Sequence, residues 1–537
     1  MDRAHRRQPP TRQHLGPDVS DELTVALPAA TVRLAAHVLH LRGTAPVPQP
    51  LTSPAGDILC WNGEVFGGLA VGIANDGELL LRHILSEQQQ QQPADGLHVL
   101  RALRSIRGPY ALAFLDRAAS ALWFARDPLG RRSLLVSREH ATGGLMLSSV
   151  GGAAVEGWSA WAEVRAPAVY RLDLATWALD EHPWAHGDPL LPLPFARVSD
   201  QTVVCEELPD PSPVELPAEG AWRPLVDGLE HALRLAVRRR VESVPVRRAG
   251  EPRIGVLFSG GVDCITLAAL AAAELPTDYS EPIELINVAF ENPRQARSPK
   301  DTYAVPDRAT GLRGLGELQR CFPEREWRFV QVDVPYTEMQ RHCEHVRGLI
   351  RPADTVMDLS IAVALWFASR GVGRLVNGSE RSAEEEEGQQ QPEYTARARV
   401  LLLGMGADEQ LAGYARHRTA WSTGGQLGLA DEIRLDVDRI ATRNLGRDDR
   451  VVADHAREAR FPFLDEHVVD YLARLPAAHK ADMRYPRGVG EKILLRLLAR
   501  RLGLRHACSL PKRAIQFGAR TAKMESSRTK GQDTLSN

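Results

Sequence analysis

Residues 254–264 read Ile-Gly-Val-Leu-Phe-Ser-Gly-Gly-Val-Asp-Cys and carry the densest chemical information in the chain. An apolar run ends in a hydroxyl, two glycines and an acid, and a helix-like stretch from Ile265 to Leu275 follows. A strand that turns directly into a helix leaves unpaired backbone N–H groups at the helix's first turn. Those donors and the helix dipole attract phosphate. Gly260 and Gly261 carry no Cβ, so a phosphate can approach the main chain closely. Ser259 adds a hydroxyl donor. Asp263 would repel a phosphate unless a hard cation lay between them, which implies Mg²⁺. The lysine of the Gly-x-x-x-x-Gly-Lys-Ser/Thr nucleotide loop is absent.

A second segment has the same grammar. Val400-Leu401-Leu402-Leu403 runs into Gly404-Met405-Gly406-Ala407-Asp408-Glu409. In an open α/β sheet, ligands collect beyond the carboxyl ends of the strands. If the two strands are neighbours, Asp263 and Asp408 can hold Mg²⁺ on one polyphosphate. An acid at a helix start also favours the helix dipole without any ligand; two such loops in one chain favour the site. Three downstream runs could add to it: Arg443 to Arg450, Ala459 to Asp465, and the cations Lys492, Lys512 and Arg513. Cationic side chains of this kind bind phosphate strongly.

The elements that would position these residues fall into two groups. Residues 31–43 and 57–66 read as strands, Ala111 to Phe114 and Ala121 to Ala125 as a hairpin pair, and Leu134 to Val136 and Leu145 to Leu147 as further strands. Gln88 to Gln92 reads as a solvated loop insertion. A proline-rich stretch at 184–218 reads as a linker. Beyond Trp222, Leu225 to Val244 has helical periodicity. Short apolar runs at Ile254–Phe258, Ile283–Phe290, Trp327–Val334 and Val400–Leu403 then alternate with helical stretches such as Met357–Ser369, the pattern of a parallel sheet. Residues 378–397, with runs of Glu and Gln, read as a disordered insertion.

Bulk properties narrow the function classes. The chain has 537 residues, enough for two or three domains. It is 44% hydrophobic and 25% charged, as soluble globular proteins are. A formal net charge of -2 gives no electrostatic case for nucleic acid. No apolar run is long enough to span a bilayer. The six cysteines lack the close pairs of zinc sites and fit a reducing compartment. Pro9, Pro10 and Asp2 argue against an amphipathic import helix in the Arg-rich start. Together these features point to the cytoplasm, small-molecule substrates and neither a membrane nor a nucleic-acid partner; self-association is left open.

In order, the motifs resemble the synthetase half of the glutamine-dependent asparagine synthetase family: Ser259-Gly-Gly-Val-Asp263, Gly404-x-Gly-Ala-Asp408-Glu409, Glu458-Ala-Arg460-Phe-Pro462-Phe-Leu-Asp465 and Lys492. The first third is similar to the family's amidotransferase half. Trp61-Asn62-Gly63-Glu64-Val65-Phe66 resembles the glutamine-holding loop, and Gly108 to Phe114 and Arg126 to Arg132 resemble later signatures. The resemblance implies an α/β protein: an N-terminal α+β amidotransferase-like sandwich at 1–183, a linker at 184–221, a parallel-sheet ATP-pyrophosphatase domain at 222–525 and a disordered tail at 526–537. It implies ATP and Mg²⁺ as cofactors and an aspartate-like carboxylate, with ammonia or glutamine, as substrates. It assigns ATP or pyrophosphate to Phe258, Ser259, Gly260, Gly261, Asp263, Gly404 and Lys492, the metal to Asp263 and Asp408, and a glutamine-like site to Asn62, Gly63, Glu64 and Asp76.

Four positions depart from the family, the first being Cys264, which stands where the family's Ser-Gly-Gly-x-Asp-Ser pyrophosphate loop ends in serine. The family's glutaminase nucleophile is a cysteine at position 2, where this chain has Asp2. A carboxylate is a poor nucleophile toward an amide, so glutamine hydrolysis is not expected. Leu39 stands where the family has the arginine that pairs with the glutamine carboxylate, and Arg42 lies nearby. Met405 replaces a glutamate that assists ammonia attack, and a thioether cannot take up a proton at neutral pH. The expectation is therefore an adenylating amide synthetase, with a degenerate nucleotide-binding protein or a synthetase for another carboxylate as alternatives.

Overall fold

The computed structural model describes residues 16–90, 96–152, 155–184, 216–291, 302–376, 392–521 and 533–535. Asp2, the Arg-rich start, most of the expected linker and the Glu- and Gln-rich run near 384–391 lie outside them. The chain divides into two units, the first comprising Met1–Pro192, Arg347–Ala353 and Leu445–Arg457, the second the remainder. Among the described residues, no helix is long and apolar enough to cross a membrane.

The first unit is α+β. It contains β1 (Val19–Ala26), β2 (Thr31–Val38), β3 (Leu51–Thr52), β4 (Ile58–Gly63), α1 (Asp76–Gln90), α2 (His98–Ser105), β5 (Tyr110–Asp116), β6 (Ala121–Arg126), β7 (Leu135–Arg138), β8 (Leu145–Ser148), β9 (Ala162–Glu163), β10 (Ala168–Asp173) and β11 (Leu179–Pro183). A six-stranded antiparallel sheet runs β11-β10-β6-β5-β4-β3. β1 and β2 form a separate ribbon, and β8-β7-β9 a third sheet. Val and aromatic residues favour such half- or fully buried pleats. β6 is buried at every position because both its faces are covered. One core joins Leu34, Ile58, Leu115, Phe124 and Leu172, with Phe124 stacked on Tyr170 at 5.2 Å.

Three local readings need correction. The disordered insertion expected over 378–397 does not hold at its end, where Tyr394–Thr395 form a short edge strand and the Tyr394 hydroxyl donates to Glu284 at 2.6 Å. The strand expected over 31–43 stops at Val38; the following loop includes Gly43 at φ 90°, a left-handed conformation that suits glycine. Gln88 to Gln90 complete α1 rather than a loop, in keeping with glutamine's good helix propensity.

The second unit is α/β. Its first elements are α3 (Arg223–Val241), β12 (Ile254–Leu257), α4 (Val262–Glu274), β13 (Ile283–Phe290), α5 (Pro306–Cys321), β14 (Trp327–Val334), α6 (Tyr336–Ile350, its last turn in the first unit), α7 (Val356–Arg370), β15 (Val372–Val376), β16 (Tyr394–Thr395) and β17 (Val400–Leu402). They are followed by α8 (Ala407–Gln410), α9 (Ala415–Ile440), α10 (Gly446–Ala453, in the first unit), β18 (Glu458–Arg460), α11 (Glu466–Arg474), α12 (Ala477–Lys480), α13 (Ile493–Arg501) and α14 (Ile515–Gly518). Sheet order is β16-β15-β14-β13-β12-β17-β18. The strands from β14 to β18 in that order are parallel, and β15 and β16 form an antiparallel edge. All eight residues of β13 are buried, as a doubly covered parallel strand requires, and its two polar members are paired, Glu284 with the Tyr394 hydroxyl at 2.6 Å and Asn287 with Phe258 O at 2.8 Å.

The order of this sheet fixes where a ligand can bind. From β12 the chain builds outward through β13 and β14, then returns to lay β17 and β18 on β12's other side. The carboxyl ends of β12 and β17 therefore flank the topological switch point, the crevice where open α/β sheets bind ligands. Ser259 and Gly404 lie just beyond these two strand ends. Of the expected tail, residues 533–535 are described, and Leu535 N donates to Asp354 O at 2.7 Å.

The first unit also takes in two distant stretches of chain. Asp449 accepts from Arg132 Nη1 and Ser133 N, each at 2.9 Å. Arg450 donates to Glu163, Ser133 and the carbonyls of Leu349 and Ile350. All these residues belong to the first unit. Arg132 and Arg450 are almost fully buried, and a buried guanidinium requires partners of this kind.

Candidate nucleotide site

The Ser259 loop is shaped by its glycines. Gly260 adopts φ 76°, and a Cβ there would stand 2.3 Å from the Thr310 carbonyl oxygen. Only glycine fits that close approach. Thr310, on α5, donates its hydroxyl to Ser259 O at 2.6 Å and holds the loop from behind. Asn287, on β13, donates to Phe258 O at 2.8 Å. Phe258 is buried with its ring edge-on to Phe329. Gly261 caps α4, which leaves that helix's first N–H groups beside the loop. Cys264 fills the expected serine position. Burial pushes its thiol up to about 11, so it stays a neutral packing group.

The second loop meets the first. A Cβ on Gly404 would stand 2.9 Å from the Asp263 Cβ, so glycine lets the two strand ends close on each other. Gly406 adopts φ 93° and turns the chain into α8, bringing Asp408 inward. Lys492 Nζ lies 2.7 Å from Asp263 Oδ2 and 2.6 Å from Asp408 Oδ1. Lys512 Nζ lies 3.6 Å from Asp408 Oδ2 and 4.6 Å from the Tyr414 ring centroid. Tyr414 in turn donates to Glu409 at 2.6 Å, and Asn444 donates to the same oxygen at 3.2 Å.

The electrostatics follow from two carboxylates sharing cations in a partly dry crevice. Burial raises Asp263, and Asp408 adds to the rise against the opposing pull of Lys492. Burial works the same way on Asp408, but Lys492 and Lys512 outweigh it and hold that carboxyl below its usual range. Burial would lower Lys492; the two carboxylates more than reverse it, and its ammonium is held charged. Glu409 is raised by burial and by Asp408. Perturbations of this kind, clustered in a crevice, mark candidate functional groups.

Among the described residues, no group of three or more His, Cys, Asp and Glu could hold a metal by itself. Two carboxylates converging on one point, with the remaining positions left to phosphate oxygens and water, is how Mg²⁺ is held on a nucleotide. The donor set of Asp263 and Asp408 fits that ion.

Of the expected site residues, Phe258, Ser259, Gly260, Gly261, Asp263, Gly404, Asp408 and Lys492 gather at this one crevice. Two expected runs do not supply it with cations. Arg460 donates to Glu458 and to Arg240 O, each at 2.6 Å, and Asp465 is paired with Arg240 at 2.7 Å while capping α11. From the Arg443–Arg450 run, Asp449 and Arg450 complete the first unit, as described above. Arg513 sits 3.5 Å from Asp307, whose carboxyl burial pushes up to about 7. Tyr414, Thr310 and Asn287 were not legible in the sequence, for their local pattern gives no sign that the fold brings them to the Ser259 and Gly404 loops.

In the first unit, Glu64 is buried and receives Arg42 Nε at 2.8 Å. Asp76 accepts from Val65 N at 2.9 Å and from Gly77 N at 3.0 Å. Burial raises Asp76 despite the nearby Arg42. Asn62 and Gly63 end β4, Asn62 exposed. Cys60, on the same strand, has its thiol pushed up to about 12 by burial.

Residues 421–525 match the Asn_synthase family model, described as asparagine synthase. Asparagine synthetase domain-containing protein 1 of Bos taurus is 36% identical, covering 96% of this chain and 93% of that protein. Its Homo sapiens counterpart is 35% identical over 96% of this chain and 92% of its own length. An asparagine synthetase domain-containing protein of Drosophila melanogaster is 31% identical over 97% and 95%.

Proposed function

The chain belongs to the family of asparagine synthetase domain-containing proteins, and from that premise we propose that it is an ATP-dependent amide synthetase that releases AMP and pyrophosphate, working in the cytoplasm. The observation that carries this reading is the convergence of Asp263 and Asp408 on one point beside the Ser259–Gly261 loop. A carboxylate oxygen of the substrate, aspartate by family analogy, attacks the α-phosphorus of ATP. The bond to the β-phosphate's bridging oxygen breaks, and pyrophosphate leaves. Ammonia then attacks the acyl carbon, AMP departs, and the nitrogen sheds a proton. Mg²⁺, held by Asp263 and Asp408, would offset the charge on the polyphosphate. The N–H groups of Gly260 and Gly261 and the Ser259 hydroxyl cradle the leaving pyrophosphate. Holding the carboxylate in line with the α-phosphorus supplies much of the acceleration.

Aspartate- and ammonia-dependent pyrophosphate release from the purified protein with Mg-ATP tests the reading; ATP that binds without any pyrophosphate appearing would leave a nucleotide-binding regulatory protein instead. Met405 favours a second reading, a synthetase whose acceptor pocket suits a carboxylate less polar than aspartate. Pyrophosphate release across a panel of carboxylic acids separates the two.

A further inference from the structure

Lys492 stands where a cation is needed in the crevice. Its Nζ is within 2.8 Å of both Asp263 oxygens and 2.6 Å from Asp408 Oδ1. The side chain is 1% exposed, whereas those of Asp263 and Asp408 are 24% and 19% exposed. The carboxylates thus open outward while the ammonium plugs them from within. Its backbone is unusual as well: Lys492 adopts φ 57°, ψ 30° just before α13, a left-handed conformation uncommon outside glycine. Main-chain bonds hold it there, Lys492 N to Leu411 O at 3.0 Å and Arg496 N to Lys492 O at 2.9 Å. Gly413 gives the side chain its path, since a Cβ at that position would stand 2.4 Å from Lys492 Cε.

We infer that Lys492 is a built-in counter-ion that keeps a divalent cation out of the Asp263–Asp408 crevice until a polyphosphate arrives, so that metal and nucleotide enter together. The charge count supports it. Three carboxylates, Asp263, Asp408 and Glu409, stand against three cations, Lys492, Lys512 and Arg496, and their sum is zero. A bare divalent ion meets no net attraction there and must displace or crowd an ammonium already 2.6–2.8 Å from the ligating oxygens. No third acid, histidine or cysteine among the described residues completes a metal site. A pyrophosphate or triphosphate reverses the balance. It brings oxygens for the metal and gives both ammonium groups a new partner, because lysine is an adaptable point charge for phosphate. This device prevents the crevice from filling with metal in the absence of substrate.

The inference rests on the nucleotide reading of the site, and Mn²⁺ binding followed by electron paramagnetic resonance tests it on the full chain. The wild type is expected to leave Mn²⁺ free without a polyphosphate and to take it up when pyrophosphate or ATP is added. Lys492→Met is expected to bind Mn²⁺ alone, about tenfold more tightly than the wild type or better, because two carboxylates then lack their buried cation. Mn²⁺ alone should then raise the melting temperature of that variant and not of the wild type. Lys512→Met, at a more exposed position, is expected to gain roughly two- to threefold. Tight Mn²⁺ binding to the wild type without polyphosphate overturns the inference, whether or not Lys492→Met folds, and so does a folded Lys492→Met that gains nothing. Failure of pyrophosphate and ATP to bind the wild type at all overturns the nucleotide reading itself.

Discussion

The two units bury carboxylates beside cations to different ends. In the first, the buried pairs are closed in by the protein. Arg131 and Asp127 are paired at 1% and 0% exposure, and Arg42 is spent on Glu64. Arg132 and Ser133 both donate to Asp449. In the second, Asp263 and Asp408 share one buried ammonium and keep their outer sides open to solvent. A buried ion pair with all its partners is weak evidence for anything beyond architecture. Acids held together at a strand-order switch, with glycines clearing the approach, leave room for something else to bind. The contrast predicts which unit carries chemistry.

The largest effect that could break this contrast comes from the open pair. Asp263→Asn or Asp408→Asn is expected to reduce pyrophosphate release by about a hundredfold or more, the scale of losing one preorganised charge partner in a transition state. For a protein that begins as this sequence does, with Asp2, replacing ammonium by glutamine should stop product formation to a similar degree. Parallel assays of pyrophosphate and amide, run with each nitrogen source, measure both. Activity with glutamine comparable to that with ammonium would erase the distinction between the units.

Next in size is stability in the first unit. Asp449→Ala leaves the Arg132 guanidinium, 2% exposed, without its carboxylate. Stranding a buried charge in this way costs about 3–5 kcal/mol, which a urea titration followed by tryptophan fluorescence reads directly. Breaking the exposed Arg33–Glu22 pair with Arg33→Ala should cost less than ~1 kcal/mol. Equal losses would show that burial does not rank these pairs.

Lys480 sharpens the comparison from the second unit. It is almost fully buried, and burial lowers its ammonium to about 8. A base whose folded pKa lies below its unfolded value of roughly 10.4 opposes folding most strongly below pH 8, and the penalty fades as pH rises toward 10. Lys480→Met is therefore expected to stabilise the protein by about 3 kcal/mol at pH 7 and by less than ~1 kcal/mol near pH 10. Paired melting curves at the two pH values check it. The smallest effect concerns Cys264. Its buried thiol, pushed up to about 11, should escape iodoacetamide at pH 7.5 and leave pyrophosphate release unchanged.

Much of this was legible in the sequence because its signals are local. The glycine turns at 260–261 and 404–406 and the acids beside them sit within a few residues of the strands that aim them. The alternation of apolar runs with helical stretches beyond Trp222 was enough to give a parallel sheet. Long-range charge was not legible. Arg132 and Asp449 lie 317 residues apart, and such pairs leave no periodic trace. For the same reason the Arg443–Arg450 run read as potential phosphate ligands, when Arg450 in fact serves Glu163 and the carbonyls of Leu349 and Ile350. A charged run reads alike whether it is solvated, ligand-binding or locked in a core.

That long-range completion of the first unit has a consequence during synthesis. N-terminal domains usually fold as soon as they leave the ribosome. Here the nascent first unit must wait for α10, whose Asp449 and Arg450 satisfy charges laid down hundreds of residues earlier. At ordinary elongation rates the delay is on the order of tens of seconds. Throughout that interval a first unit with all its strands made but its buried arginines stranded is exposed to chaperones and proteases, and a messenger truncated before residue 445 would yield a protein whose earliest-made part is the part left unfinished.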